Sequence, residues 1–170
     1  SRAGFIMQPR RPITVVLARV CRPYNIGAIF RLCDAFLVEK LIIGGAPVEL
    51  HKRKLVQAAR GTHYWVPWEH VDDPIMAVVA AKSAGLRIIA VEQTSKALPP
   101  EVITDTSPTC IVLGSERDGV SQDILDMAGL AVSIPMSGFA NSINVATAAA
   151  IVIHRLSGVL PNSLSSPTNA

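Results

Sequence analysis

The chain has 170 residues, of which 49% are hydrophobic, 5% aromatic and 17% charged, a composition typical of one domain with an aliphatic core and not of a disordered chain. No apolar run reaches the roughly 18 residues of a membrane-spanning helix and no secretory signal opens the sequence, so we expect neither membrane contact nor export. The net charge is only +3, but residues 1–60 hold 11 of the 16 basic and 3 of the 13 acidic residues, which favours a polyanion-facing surface in the first half.

Short β-branched and apolar runs alternate with segments of helical periodicity along the chain. In chain order we predict a strand at 13–18, a helix at 25–36, a strand at 41–43, a helix at 49–60, a strand at 64–66, a helix at 74–84, a strand at 87–91, a loop at 93–109, a strand at 110–113, a helix at 121–127, a strand at 131–134 and a helix at 142–156. The alternation predicts an α/β fold, a parallel sheet with helices on both faces.

The expected organisation is a single domain at 13–157, preceded by an extension at 1–12 and followed by a flexible tail at 158–170. Residues 1–6 precede Met7, which could be an alternative start. The cysteines at 21, 33 and 110 are widely spaced and form no Cys-x-x-Cys motif. We therefore expect free thiols in a reducing cytoplasm.

The usual α/β nucleotide motifs are missing. No Gly-x-Gly-x-x-Gly follows a strand, and no Gly-x-Ser-x-Gly elbow occurs. Gly114 and Gly119 have the separation of a phosphate loop, but Val120 stands where that loop requires lysine. The four histidines have no metal-ligand spacing, so no metal is predicted.

The last strand is followed by a loop of small and amide residues and then by an alanine-rich helix. Ser142 and Asn144 lie near the start of this helix, where backbone N–H groups and side chains could hold a polar ligand. The alternative is a simple helix cap, because Ser and Asn are preferred at N-caps generally.

Three segments carry recognisable motifs: Asn25-Ile-Gly-Ala-Ile-Phe-Arg31, the strand and loop from Ile111 to Ser121 with its Gly-x-Glu, and Ile134-Pro-Met-Ser-Gly138 followed by Ser142-Ile-Asn-Val145. Together, in this order over residues 13–156, they resemble the motifs of the SpoU (TrmH-like) family of SPOUT RNA methyltransferases. The chain departs from the family pattern at Leu37, Arg117 and Ala146-Thr147, positions that concern substrate choice more than the chemistry.

The resemblance implies a C-terminal deep trefoil knot, a homodimer with the active site at the subunit interface, and S-adenosyl-L-methionine as methyl donor. The residues that would hold the donor are Leu113, Gly114, Ser115, Glu116, Ile134, Met136, Gly138, Ser142, Asn144 and Val145. The last helix has apolar positions at Val145, Ala148, Ile151 and Val152, which fits a dimer or, alternatively, burial in the monomer core.

The reaction implied is methyl transfer to a ribose 2′-hydroxyl of RNA, with tRNA expected before rRNA. The implied catalytic residues are Asn25, Arg31, Glu116, Ser142 and Asn144. Arg31 matches the family's catalytic arginine, and because arginine is effectively always protonated, electrostatic stabilisation of a developing alkoxide fits it better than proton abstraction. From the residues alone, Arg31 could also be a solvated helix residue and Asn25 an N-cap.

Basic residues of the first half are the candidate RNA contacts, since guanidinium groups match phosphate geometry: Arg10, Arg11, Arg19, Arg22, Lys52, Arg53 and Lys54. For residues 52–54 a solvated basic helix is an equally good explanation. Two competing functions stay open, a non-catalytic RNA-binding or assembly protein on the same fold and a methyltransferase that acts on a base.

Overall fold

The computed structural model describes residues 9–105, 107–139 and 142–159. The predicted tail from residue 160 onward, and the first eight residues of the predicted extension, lie outside the described residues. Six strands form one sheet in the order β3-β2-β1-β5-β4-β6, and every neighbouring pair is parallel. The strands are β1 (Arg11–Ala18), β2 (Val38–Gly44), β3 (Trp68–Val71), β4 (Arg87–Val91), β5 (Thr109–Gly114) and β6 (Leu130–Val132).

Five α-helices and two short 3₁₀ turns connect the strands within the described ranges. The helices are α1 (Pro23–Ala35), α2 (Arg53–Ala59), α3 (Pro74–Ser83), α4 (Gln122–Met127) and α5 (Val145–Val159). The 3₁₀ turns are Thr62–Tyr64 and Pro100–Val102.

Each face of the sheet carries its own hydrophobic core. Along β1, Val15 and Leu17 point into a core shared with α1, α2 and α5, whereas Val16 and Ala18 point into a second core shared with α3 and α4. A strand buried on both faces has no polar side to show, which is why β1 reads as a continuous apolar run. The predicted parallel α/β sheet with helices on both faces is confirmed.

The predicted strand at 64–66 is wrong. Residues 62–64 form a 3₁₀ turn instead, after Arg60 and Gly61 have both taken left-handed backbone angles, with φ values of 52° and 90°. The third strand follows at Trp68–Val71 on the edge of the sheet, and none of its residues is fully buried. A short, half-exposed edge strand has little of the apolar run on which the prediction depended.

Several predicted boundaries also shift, because capping decides where a helix begins. Helix α1 begins at Pro23 and not at Asn25, which lies in its first turn, since proline suits the first helical position. Helix α2 begins at Arg53 because residues 49–52 form a turn before it. Strand β6 ends at Val132, so residue 134 is not in a strand, and α5 runs from Val145 to Val159, past the predicted domain end.

Gly27 of the first motif has a packing role. A Cβ at this position would lie 2.4 Å from the carbonyl oxygen of Leu55 and 2.9 Å from the Cβ of Ala58. Any side chain would therefore push α1 away from α2. Gly27 of the Asn-x-Gly motif thus fixes the contact between α1 and α2, which lie on the same face of the sheet as α5.

The three thiols yield the first testable prediction. Cys21 is exposed, whereas burial raises the pKa of Cys33 and of Cys110 from 9.0 to about 12. At about pH 8 a thiol reagent should modify one cysteine in the folded chain and three after denaturation. A second fast-reacting thiol in the folded protein would contradict the described packing.

The same two cysteines predict alkaline destabilisation. Their folded pKa lies above the unfolded value, so the folded state keeps its protons when the unfolded state has lost them. Their contribution to the free energy of unfolding is fully present below about pH 9 and falls as the pH rises toward 12. Cys33→Ala with Cys110→Ala should flatten this part of a urea-unfolding pH profile.

Candidate active site

A cavity of about 640 Å³ opens where the carboxyl ends of β4, β5 and β6 meet the start of α5. This is the edge at which parallel α/β sheets place their ligands. The lining residues come from five segments: Arg22; Val91, Glu92 and Gln93; Leu113 to Gly119; Val132, Ser133, Ile134 and Met136; and Ser142 to Val145 with Ala148.

Nine of the ten residues predicted to hold a cofactor line this cavity, and the exception is Gly138, which is exposed and outside the lining. The nine are Leu113, Gly114, Ser115, Glu116, Ile134, Met136, Ser142, Asn144 and Val145. Sequence reasoning missed Glu92 and Gln93, which directly follow β4. Polar residues immediately after a buried strand were the signal that could have revealed them.

The loop after β5 is held by close backbone approach and by one carboxylate. A Cβ on Gly114 would lie 2.1 Å from the carbonyl carbon of Gly119, so these two backbones meet with no room for a side chain. The carboxylate of Glu92 accepts hydrogen bonds from the backbone N–H of Val120 (2.7 Å) and of Gln93 (2.8 Å). The two glycines of the second motif therefore shape the cavity wall.

Three polar side chains from distant parts of the chain meet beside the cavity. The Nδ2 of Asn25 donates to Oε1 of Glu116 at 2.6 Å, and the Nδ2 of Asn144 donates to Oδ1 of Asn25 at 2.9 Å. The Oδ1 of Asn144 in turn accepts from the backbone N–H of Ala146 at 2.8 Å. Since a carboxylate can only accept, each amide orientation follows from its neighbour. We call this the Asn25–Glu116–Asn144 relay.

The helix-cap explanation of Asn144 is confirmed, and its part in holding a polar ligand stays a prediction. It caps α5 through its carbonyl oxygen and reaches the candidate site through its amide nitrogen. Asn25, in contrast, is not an N-cap, because Arg22 occupies that position. Its side chain instead forms hydrogen bonds with Glu116 and Asn144. Only 2% of the surface of Asn25 is exposed, whereas its partner Glu116 is half-buried and its partner Asn144 is exposed.

One polar atom of the relay has no hydrogen-bond partner. Oε2 of Glu116 is buried and unpaired among the residues that the structure describes. A buried carboxylate oxygen left in this state is costly, and Glu116 lines the cavity. The atom is thus available to accept a hydrogen bond from a molecule bound there.

The cavity is more acidic than the chain as a whole. The carboxylates of Glu92, Glu116 and Asp118 line it, against the guanidinium groups of Arg22 and Arg117. Apolar side chains cover much of the rest of the wall. The arrangement suits a ligand with a cationic centre and an apolar or aromatic part.

Arg31 lies apart from the relay. It is exposed, it is outside the lining of the cavity, and it has no polar partner among the described residues. Arg31 is six positions after Asn25 on α1, which places it about 9 Å further along the helix and on another face. Glu116 therefore pairs with Asn25 here, and not with Arg31.

The predicted RNA-binding residues fall into two groups. Arg22 lines the large cavity, Arg19 and Lys52 line a neighbouring groove, and Arg53 and Lys54 are exposed at the start of α2. The other two lie at the opposite, amino-terminal end of β1. There Arg10 donates to the carbonyl of Val38 (2.9 Å) and Arg11 to that of Ser157 (2.6 Å), so both have a structural task.

The described residues contain neither a metal-binding cluster nor a membrane-spanning helix. No three His, Cys, Asp or Glu side chains of residues 9–105, 107–139 and 142–159 lie close enough together to hold a metal ion. Over the same ranges, no helix has the length and apolar character needed to cross a membrane.

Known proteins resemble this chain over nearly its whole length. The model of the SpoU rRNA Methylase family matches residues 12–154. The tRNA (guanosine(18)-2′-O)-methyltransferase of Aquifex aeolicus (strain VF5) is 33% identical over 156 residues, 91% of this chain and 73% of that protein.

Two solved structures of SpoU-type proteins are also similar to this chain. The crystal structure of the A. aeolicus TrmH/SpoU tRNA modifying enzyme superimposes with a TM-score of 0.82 and 31% identity, covering 93% of this chain and 80% of the other. The SpoU methyltransferase AviRb from Streptomyces viridochromogenes, in complex with the cofactor AdoMet, has a TM-score of 0.75 and 27% identity, covering 89% of this chain and 59% of the other.

Two substitutions separate the roles of Asn144. Asn144→Ser keeps a cap acceptor but cannot reach Asn25, whereas Asn144→Ala loses both bonds. In urea unfolding we expect the serine variant to lose about 1 kcal/mol relative to the unsubstituted chain, and the alanine variant about 1 kcal/mol more. A serine variant as stable as the unsubstituted chain would show that the bond to Asn25 contributes nothing.

Proposed function

The chain belongs to the SpoU rRNA methylase family, and from that premise we propose that it transfers a methyl group from S-adenosyl-L-methionine to a ribose 2′-hydroxyl of RNA. The observation that carries the proposal is the relay beside the cavity. Asn25 is 91 positions from Glu116 and 119 positions from Asn144 along the chain. It nevertheless forms a hydrogen bond with each of them at a ligand-sized opening.

The cavity fits the cofactor that AviRb binds. Gly114 and Gly119 form a cradle that a Cβ would fill, Glu116 has an unpaired buried oxygen, and the charged lining is on balance acidic. We propose that Leu113, Ile134, Met136 and Val145 contact the adenosine part, together with the backbone of residues 114 and 115. The carboxylates complement the positive charge of the sulfonium.

When bound, S-adenosylmethionine would supply a methyl group whose bond to the positively charged sulfur breaks as the ribose oxygen bonds to the methyl carbon; a neutral thioether leaves, and the hydroxyl proton is released to solvent. The protein must then hold the ribose oxygen in line with that methyl group. We propose that the relay and Ser142 position the ribose. Arg31 stabilises the negative charge that develops on the oxygen, since a fixed cation near a developing alkoxide lowers the barrier.

The distance of Arg31 from the relay favours action across a homodimer. On one chain Arg31 lies on another face of α1, so its guanidinium would serve the cavity of a second copy. Large apolar side chains are exposed on or near α1 and α5, as a dimer interface requires: Tyr24 is 59% exposed, and Ile143 and Ile151 are each 38% exposed. Ala148 and Val152 are buried in the monomer and need no partner.

We propose that the end of the chain is threaded as the family's trefoil knot. Val132 of β6 lies between β4 and Leu98, which pairs with it as an isolated parallel bridge. Further along, Arg155 of α5 donates to the carbonyl oxygens of Ile103 (3.1 Å) and Glu101 (3.0 Å). The segment after β4 thus contacts both β6 and α5, as an enclosing loop would.

The RNA is proposed to be a tRNA before an rRNA, because the A. aeolicus relative is named for a tRNA guanosine. Arg19, Arg22, Lys52, Arg53 and Lys54 lie at the carboxyl edge of the sheet or at the start of α2 and form the proposed contact surface. The assignment of residues 10 and 11 to RNA stays a prediction that this geometry does not support. A cytoplasmic location and a methyltransferase domain at 13–157, extended to 11–159 by the observed bounds of β1 and α5, complete the proposal.

A methyl-transfer assay tests the proposed reaction. The full chain is incubated with labelled S-adenosylmethionine and total RNA that lacks the modification, and the RNA is digested to nucleosides. We expect label in a 2′-O-methylnucleoside from the tRNA fraction. Label in a methylated base would replace the ribose assignment, and donor binding without transfer would favour the non-catalytic alternative.

Arg31→Ala should lower kcat by about 10²–10³-fold, the usual effect of removing one group that stabilises developing charge. The dissociation constant of the donor should stay the same, because the proposed task of Arg31 is to stabilise the charge that develops on the ribose oxygen and not to hold the cationic donor. Arg31→Lys keeps the charge and should recover part of the activity. Full activity in the alanine variant would remove Arg31 from the mechanism.

A further inference from the structure

A second opening lies beside the large cavity. It has a volume of about 280 Å³ and sits between the β1–α1 and β2–α2 connections. We call it the β1–β2 groove. Its lining residues are Arg19, Val20, Cys21, Pro23, Ile26, Gly45, Ala46, Pro47, Val48, Glu49, Lys52 and Leu55.

The groove has an apolar floor. Val20, Ile26 and Leu55 are at most 5% exposed and belong to the core of the α1–α2 face. Two proline rings, Pro23 and Pro47, also line it. Its volume of about 280 Å³ is just below the range of ligand pockets, roughly 300–1,000 Å³, so the groove has room for one flat ring system and not for a duplex.

Arg19 stands at this groove in a backbone conformation that favours glycine. Its φ is +64°, which costs an ordinary L-residue about 1–2 kcal/mol. The stem passes over Gly45, where a Cβ would lie only 3.3 Å from the Cγ of Arg19. Backbone strain of this kind clusters at functional sites, and here it accompanies a long cationic side chain at the groove.

The net charge of the groove is that of Arg19. Glu49 and Lys52 form an ion pair with each other, which also lowers the pKa of the Glu49 carboxyl. Among the described residues, no carboxylate pairs with Arg19. An exposed guanidinium over an apolar floor can stack on a base plane or grip a phosphate.

The groove and the cavity are joined by the connection from β1 to α1. Arg19 lines the former and Arg22 the latter, and three peptide units hold their Cα atoms within about 11 Å of each other. One short stretch of RNA could therefore reach both openings.

We propose that the β1–β2 groove binds one unpaired nucleotide of the RNA substrate next to the nucleotide that is methylated, with its base on the apolar floor and its phosphate or base plane on Arg19. The proposal rests on the proposed function and adds the form of the substrate: at least two adjacent nucleotides must leave the helical stack. Single-stranded, splayed bases are the usual targets of sequence-specific RNA recognition.

Arg19→Gly tests the side chain without straining the fold, because glycine adopts a positive φ freely. Arg60→Gly is the matched control: Arg60 is also exposed and also left-handed, at φ +52°, but it lies outside both openings. Both variants lose one positive charge, and both should fold. Stability is checked by thermal unfolding of each full-length chain.

With unmodified tRNA as substrate, we expect Arg19→Gly to raise the KM for RNA about tenfold, as a lost charge-assisted contact does. The salt slope of RNA binding should fall by about one. Donor affinity and the behaviour of Arg60→Gly should be unchanged. Equal effects of the two variants on RNA would overturn the proposal and leave the proposed function standing.

Cys21 supplies an independent measurement. It lines the groove and is exposed, whereas the other two cysteines are buried, so its reaction with a thiol reagent reports on occupancy. We expect tRNA to slow this reaction severalfold and S-adenosylmethionine alone to leave it unchanged. Arg19→Gly should weaken the protection by tRNA.

An unchanged Cys21 rate under saturating tRNA would show an empty groove and overturn the proposal. Failure of the unsubstituted chain to methylate any RNA would instead overturn the proposed function. The Cys21 measurement needs RNA binding and no turnover, so the two failures can be told apart.

Discussion

A partly buried chain of hydrogen bonds between Asn25, Glu116 and Asn144 is the constraint on which the candidate site depends. It joins the first turn of α1, the loop after β5 and the cap of α5, three segments that the sheet alone would not hold at fixed distances. Because the carboxylate can only accept, the donor and acceptor roles along the chain have a single solution. The walls of the cavity are thus set by polar contacts as much as by the hydrophobic core.

The strands buried on both faces were predicted closely from the sequence, whereas of the two edge strands β3 was misplaced and the end of β6 shifted by two residues. The predicted bounds of β1, β4 and β5 lie within two residues of the observed ones, because the central positions of all three strands are buried. Strand β3 lies on the edge and carries mixed residues, so its pattern gave a wrong position. Helix starts shifted where a proline or an asparagine cap decided them.

The candidate site was predictable through its motifs but not in its contacts. Asn25, Glu116 and Asn144 were named from the resemblance, yet the order of their hydrogen bonds required coordinates, because partners 91 and 119 residues apart leave no local signal. Glu92, in contrast, was not identified from the sequence at all. It belongs to none of the three motifs, and its task is to hold the backbone of a loop 28 residues away.

Of the two hydrophobic cores, only the one under α1 and α5 adjoins the cavity and the groove. The apolar side chains of the cavity at Val91, Leu113, Val132, Ile134 and Val145 all belong to, or pack against, the core under α1 and α5. Helices α3 and α4 close the other face and contribute no residue to either opening. That face is therefore the place to anchor the protein to a support or to engineer added thermal stability, since changes there leave the contacts of donor and RNA in place.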